Sequence, residues 1–151
     1  MKKQKRKVRK GIAALIYYKK NGGAAKFLLL KRKLNWKGWE WCKGGIKGGE
    51  SEFGATEREM REETGRESGY IIKKTAYVHL FKYQKEFLKD NKEFEGARNV
   101  IFLVRFFDKK VRSDRKEHSS FRWVDKKTAL KLLSWPDQRK MFRKIVKKYK
   151  L

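Results

Sequence analysis

The chain has 151 residues, 39% of them hydrophobic, with ten Phe, six Tyr and five Trp, which is enough for one packed core and leaves no room for a second domain. Its 43 Lys and Arg against 17 Asp and Glu give a net charge of +26, which favours polyanionic partners or reflects a Lys-biased source; composition leaves both readings open. The single cysteine, Cys42, excludes an internal disulfide and makes the cytoplasm the expected compartment, while two histidines, His79 and His118, are too few for a Cys/His zinc site and leave a bound metal to oxygen ligands.

In chain order, residues 1–10 form a basic N-terminal extension and residues 11–151 the expected folded domain. The apolar run from Ile12 to Tyr18 follows that basic stretch as a secretory leader would. It spans only seven residues before Lys19 and Lys20, however, so it reads as a buried strand. No apolar run approaches membrane-spanning length, and no membrane partner is expected. Residues 11–18 and 27–31 are predicted as an antiparallel pair joined at Asn21, Gly22 and Gly23, a hairpin turn signal. Residues 44–49 are too glycine-rich for regular structure and are expected as a loop. A helix follows over residues 52–64, with Ser51 as N-cap and Gly65 as terminator. Residues 70–81 and 99–107 are predicted as long central strands, and residues 82–98, charged but interleaved with Tyr83, Phe87 and Phe94, as a loop or strand extension near a ligand. A short strand over 121–124 precedes helices over 128–133 and 135–149. In the last helix Pro136 suits the first turn, and Met141, Phe142, Ile145, Val146 and Tyr149 form one apolar stripe.

The chemistry concentrates in the first helix. Glu59, Glu62 and Glu63 stand at i, i+3 and i+4, so at about 100° per residue their carboxylates converge on one patch. Like charges at that spacing repel and call for a compensating cation, and hard divalent ions such as Mg²⁺ or Mn²⁺ match oxygen ligands. A Glu-rich helix alone is more often merely solvated, with Arg58 and Arg61 as surface partners.

The glycine loop and helix together resemble the Nudix box, G-x5-E-x7-R-E-U-x-E-E-x-G-U, where U is a bulky apolar residue. Gly44, Glu50, Arg58, Glu59, Glu62, Glu63 and Gly65 fill the seven fixed positions and Met60 the first apolar one, while Arg66 departs from the last. Chance agreement along this chain is on the order of one in 10⁵ to 10⁶. The resemblance implies an α/β/α sandwich with a mixed sheet and a loop–helix–loop catalytic box. It also implies a metal-dependent pyrophosphohydrolase that attacks phosphorus with water and forms no covalent enzyme intermediate.

By that resemblance Gly44, Glu59, Glu62 and Glu63 hold the metal, Arg58 orients Glu59, and Glu50 supports the site from the loop. The general base stays open among Glu59, Glu62, Glu63 and a distal residue. Outside the box, Trp39-Glu-Trp-Cys-Lys-Gly-Gly resembles W-x-(F/L)-P-K-G of diadenosine tetraphosphate hydrolases and W-x-F-P-Q-G-G of bacterial RNA pyrophosphohydrolases, with Cys42 in place of proline. Glu117-His-Ser-Ser-Phe-Arg-Trp123 resembles the E-x3-(Y/W)-R-W pattern of both, which nominates Glu117 as distal metal ligand or base.

Lys43 is then a candidate substrate contact and favours the first of these branches while Gly45 favours the second, Phe87 and Phe121 are candidates for stacking on a base, and Trp39 and Trp123 are expected to be structural. The leading substrate is a dinucleoside polyphosphate or a nucleoside di- or triphosphate derivative, the alternative an RNA 5′ end. RNA or another polyanion would engage the basic runs at the two chain ends. A reading of another class, a non-catalytic basic nucleic-acid-binding module on the same scaffold, is opposed by the complete acidic set. The sequence leaves the oligomeric state open.

Overall fold

A computed structural model describes residues 7–34, 37–90 and 93–151, excepting the side chains of residues 86, 87 and 90. The elements in order are β1 (Lys7–Tyr18), β2 (Lys26–Arg32), β3 (Gly38–Glu40), β4 (Cys42–Gly45), α1 (Glu52–Thr64), β5 (Tyr70–Lys82), α2 (Lys85–Asp90), β6 (Phe94–Phe106), β7 (His118–Val124), α3 (Lys126–Leu132) and α4 (Pro136–Lys148). The sheet runs β3-β2-β1-β6-β5, with β4 on β1 and β7 on β2; among the described strands the β1–β6 ladder is parallel and the others antiparallel.

Alternation along β1 and β6 divides the core into two layers. Ile12, Ala14, Ile16, Val100 and Phe102 face Ala55 and Met60 of α1. Ala13, Leu15, Ile101 and Leu103 face Phe142, Ile145 and Val146 of α4, with Ala129 and Leu133 from the α3 segment. A strand buried on both faces carries no polar break, which is why the run from Ile12 reads as continuous apolar sequence. The result is the expected α/β/α sandwich on a mixed sheet.

Three regions differ from the sequence reading, and in the two that are strands a non-local partner fixes the boundary. Lys7 to Lys10, assigned above to a basic extension, belong to β1 and pair with β6 from Phe94 onward, so residues 94–98 are strand as well. The opening hairpin exists, but β1 pairs with β2 only at Tyr17 and Tyr18. Where β1 diverges from β2, β4 pairs with residues 11–14 instead, and Gly44 and Gly45 are therefore strand residues. The third is α2, a short helix inside the stretch expected as a loop or strand extension, of which residues 94–98 are the strand part.

Helix α1 has the expected ends: Ser51 Oγ accepts from the Gly54 amide at 2.9 Å, and Gly65 closes the helix at φ 75°, its amide donating to Arg61 carbonyl. Arg66, the departure from the apolar pattern, is accommodated by laying its guanidinium 4.9 Å from the Phe106 ring centroid while pairing with Asp108. At the opposite layer, Phe142 meets Phe27 edge to face at 4.9 Å and is fully buried. Phe142→Ala is expected to lower unfolding free energy by about 3–5 kcal/mol in urea titration, the cost of a cavity where α4 meets the sheet; a loss under about 1 kcal/mol would show that α4 is not part of the cooperative core.

Candidate active site

Helix α1 lies along one face of the sheet beside β4, and its Arg58 gathers the site. The guanidinium donates from Nε to Glu50 Oε2 at 2.7 Å, from Nη1 to Glu59 Oε1 at 2.7 Å and Glu62 Oε2 at 3.3 Å, and from Nη2 to Glu50 Oε1 at 3.0 Å and Gly45 carbonyl at 2.8 Å. This ties the loop acid and the strand carbonyl to two acids of the helix. Chiefly through that hydrogen bond, Glu50 is held at a pKa of about 2, and the Arg58 guanidinium is held still more firmly charged.

Glu59 and Glu63 are the buried members. A Cβ on Gly44 would collide with the Glu59 carboxylate, so the glycine leaves the space that this acid fills. Burial raises the Glu59 pKa against the opposing hydrogen bond from Arg58, with Glu62 and Glu117 adding repulsion. Burial also pushes Glu63 well above the usual carboxylate range, and Glu59, Glu40 and Glu117 push in the same direction. One Glu63 oxygen accepts from the Lys43 amide at 3.2 Å; the other is buried without a hydrogen bond of ordinary geometry, and the buried Cys42 thiol beside the carboxyl opposes the upward shift. A carboxylate oxygen without a partner inside a cluster of acids suits either a retained proton or a divalent cation. Glu62 is half exposed at the rim.

Glu117 arrives from the far side. Arg32 Nη1 lies 3.3 Å from Glu117 Oε2 and 3.3 Å from Glu40 Oε1, and the repulsion that Glu117 exerts on both Glu59 and Glu63 marks the convergence. Its presentation depends on a bulge. Lys31 pairs with Ser120 but Arg32 with His118, so Ser119 is an extra residue that turns His118 onto the same face as Phe121. Asp114 stabilises the preceding turn, its Oδ1 accepting from the amides of Lys116, Glu117 and His118 at 3.0, 3.1 and 3.1 Å.

Sequence reasoning missed the buried group behind Glu117. His118 Nδ1 lies 3.1 Å from Asp114 Oδ2 and its Nε2 3.4 Å from Glu40 Oε1. Burial alone would lower the His118 pKa, but these two carboxylates outweigh it and raise the value. Burial would likewise raise Glu40, yet His118, Lys43 and Arg32 together hold it below the ordinary range. Glu63, Asp114 and His118 offer ligand atoms within 4.8 Å of one another. Composition left a bound metal to oxygen ligands; the structure sets an imidazole among those oxygens, with both ring nitrogens facing carboxylates. The only advance signal was a histidine directly after the nominated distal glutamate.

The remaining nominees separate. Lys43 Nζ stands 3.6 Å from Glu40 Oε2 and 5.0 Å from the Phe81 ring centroid, at the edge of the acid cluster. Phe121 lies opposite Leu30 and packs against the apolar layer under α1. Phe87 falls in α2, and its side chain lies outside the described residues. Trp39 sits 5.9 Å from both Lys31 and Arg122, and Trp123 donates to Lys109 carbonyl at 3.0 Å, so both serve as packing aromatics. The C-terminal basic run lies on α4, where Arg143, Lys144, Lys147 and Lys148 are exposed; most of the N-terminal run lies outside the described residues. No helix among the described residues is long and apolar enough to cross a membrane.

Residues 8–145 match the NUDIX domain family. The chain is 29% identical over 117 residues to the RNA pyrophosphohydrolase of Rickettsia peacockii, covering 74% of this chain and 72% of that one. Among solved structures, a C. elegans Ap4A hydrolase binary complex superposes with a TM-score of 0.74 at 23% identity, over 91% of this chain and 95% of its own. The E. coli dihydroneopterin triphosphate pyrophosphohydrolase gives a TM-score of 0.78 at 18% identity, over 94% and 98%. At these identities the two structures speak for the fold.

The raised pKa values of Glu59 and Glu63 have a measurable consequence. In metal-free protein both acids retain protons that the unfolded chain, with a pKa of about 4.3, has lost. Their contribution to stability is therefore complete below that value and is lost as pH rises through the raised folded values. Stabilisation by Mg²⁺, read as the shift in melting temperature, should grow as pH rises from about 4.5 to 8. Glu63→Gln should flatten that growth and melt higher than the metal-free wild type at the alkaline end. A Mg²⁺ shift that ignores both pH and Glu63→Gln would contradict the assignment.

Proposed function

The chain belongs to the NUDIX domain family and is a Nudix pyrophosphohydrolase, and from that premise we propose that it hydrolyses a diphosphate linkage in a nucleoside polyphosphate, using Mg²⁺ or Mn²⁺. The observation that carries this reading is the orphaned oxygen of buried Glu63 within an acid cluster that Arg58 has already assembled. A divalent cation bound there neutralises diphosphate charge and acidifies the attacking water.

The chain's own residues divide the remaining work. Glu59 and Glu63 are the inner ligands, Glu62 the outer one, and Gly44 keeps room for the Glu59 carboxylate. Arg58 fixes Glu59 by a charge-assisted hydrogen bond, and Glu50 locks Arg58 in turn. Lys43 offers an ammonium to the substrate phosphates. Glu117, 40% exposed and held by Arg32, is free to take the proton from water. Dinucleoside polyphosphates lead among substrates, in keeping with Lys43 at the lysine position of the W-x-(F/L)-P-K-G segment. The second reading, an RNA 5′ end, is favoured by the net charge of +26 and by the relationship to RNA pyrophosphohydrolases.

Two measurements test the proposal. Turnover should require Mg²⁺ or Mn²⁺ and collapse in Glu62→Gln and Glu63→Gln with folding retained, whereas full turnover in EDTA would end the metal reading. Glu117→Gln should lower kcat by about 10-fold or more with KM little changed; a normal kcat would return Glu117 to a structural role. The substrate readings separate by salt. If RNA is bound along the basic ends, its affinity should fall steeply with ionic strength and weaken when residues 1–6 are removed, while cleavage of a dinucleoside tetraphosphate changes little. RNA affinity that is absent, or insensitive to salt, leaves the dinucleotide reading.

A further inference from the structure

Away from the catalytic acids, a cleft of about 330 Å³ opens between α3 and the C-terminal half of α4. Helix α3 starts just after Val124, which pairs with Phe27 at the start of β2, whereas Arg32 at the far end of β2 holds Glu117. This seven-residue strand, about 20 Å long, therefore separates the cleft from the proposed metal site. The floor of the cleft is apolar, made by Leu130 of α3, Phe142 and Val146 of α4, and Leu151. Its end wall depends on Lys150, which takes a left-handed φ of 55° where a glycine is usual; the chain turns back, and the Leu151 amide donates to the Val146 carbonyl at 3.0 Å.

The rim is cationic. Lys126, Arg143, Lys147 and Lys150 line it, and none of them pairs with an acid side chain among the described residues; Lys126 donates to the main-chain oxygen of Leu151 at 3.1 Å. Arg143 and Lys147 stand at i and i+4, a spacing at which like charges repel. Unpaired cations above a hydrocarbon floor complement an anion that carries an apolar body. A nucleobase would be desolvated there without return: apart from the cations the lining offers no hydroxyl, carboxamide or carboxylate side chain, and its single ring, Phe142, is fully buried and already meets Phe27. A bilayer is disfavoured too. The exposed large apolar side chains, among them Ile71, Leu80 and Phe107, lie outside α3 and α4, so neither helix has one to insert.

We propose that this cleft binds a single-chain alkyl or acyl phosphate, its chain along Leu130 and Val146 and its phosphate between Arg143 and Lys147. A phosphate head carries close to two charges near neutral pH and so engages more of the rim than a carboxylate does. The site goes beyond the hydrolytic reading and shares none of its catalytic or metal-binding residues.

The test titrates the full chain with octyl phosphate by calorimetry in metal-free buffer, with inorganic phosphate and octanoate as references. Octyl phosphate should bind one site about 10-fold or more tighter than inorganic phosphate, because its chain is buried, and more tightly than octanoate. Octanoate that binds equally well overturns the phosphate head. Arg143→Gln combined with Lys147→Gln should weaken octyl phosphate binding by about 10-fold, the scale of a lost charge-assisted hydrogen bond. Lys144→Gln combined with Lys148→Gln makes the same change of charge at the same spacing on α4 but outside the cleft, and should alter binding by less than about 2-fold. Equal losses in the two pairs, or equal affinity for inorganic phosphate, would mean that only net charge is felt and would overturn the site. Leu130→Trp, which fills the cleft without removing a charge, should abolish octyl phosphate binding at an unchanged melting temperature; binding that survives it overturns the proposal, and if this variant is unstable the two charge pairs decide. If octyl phosphate fails to bind while a 5′-hydroxyl RNA oligonucleotide or a vesicle of anionic phospholipid binds through Arg143 and Lys147, the face belongs to nucleic acid or membrane and the proposal falls.

Discussion

Five donor-to-acceptor contacts from the guanidinium of Arg58 hold the catalytic loop, the end of β4 and helix α1 in one geometry. A helix that presents Glu59, Glu62 and Glu63 on one patch is self-repelling, and the repulsion grows as Glu59 and Glu63 are withdrawn from water. Arg58 offsets it from within the cluster. A planar guanidinium is needed, because two nitrogens of one edge serve Glu50 while its remaining hydrogens reach Glu59, Glu62 and a carbonyl. Lysine would supply the charge without that fork. The compensation is also incomplete: Arg58 makes no hydrogen bond to Glu63, whose second oxygen stays unpaired, and this residual deficit supports the proposed cation site.

The sheet places the other half of the site by two irregularities. Where β1 leaves β2, β4 takes over its edge, which brings Cys42, Lys43 and Gly44 against α1 and directs the Lys43 amide at Glu63. Where β7 reaches the end of β2, the extra residue Ser119 reverses the facing of His118 and brings Glu117 to the acid cluster from a segment more than fifty residues away. Regular pairing would have put His118 on the α4 side. The bulge thus sets both the reach of Glu117 and the burial of His118 between Glu40 and Asp114, and the two carboxylates in turn anchor the turn from which Glu117 emerges.

How far the sequence disclosed this follows from the range of the forces involved. Helix α1 was legible to the residue because its signals are local: Ser51 and Gly65 cap it, and the carboxylate spacing lies within two turns. The apolar stripe of α4 was legible for the same reason, and Phe142, Ile145 and Val146 are buried as its period requires. The start of β6, the strand character of Gly44 and Gly45, and the inclusion of Lys7 to Lys10 in β1 depend on partners distant in sequence. Glu40 illustrates the limit best. In sequence it is one acid between two tryptophans; in the fold it is fully buried among Arg32, Lys43 and His118. No local pattern marks a residue whose role is to neutralise groups from three other segments.

The charge distribution carries the last step. Glu40, Glu50, Glu59, Glu62, Glu63, Asp114 and Glu117 make seven of the chain's 17 acids, gathered in one site within a molecule of net charge +26. The surface outside the site is therefore even more basic than the net charge implies, and its field draws polyanions toward the protein at long range while salt is low. At short range the acids would repel the same phosphates. A divalent cation held by Glu59 and Glu63, as proposed above, would offset much of that repulsion, and the long-range attraction would then become productive. Lys43 stands at that boundary, its ammonium shared between Glu40 and the Phe81 ring. Of the cations near the site it is the one whose partners are a weakly held acid at 3.6 Å and an aromatic face, whereas Arg58 and Arg32 are committed to carboxylates. Arrival of a phosphate chain would therefore displace Lys43 at low cost and leave the acid framework intact.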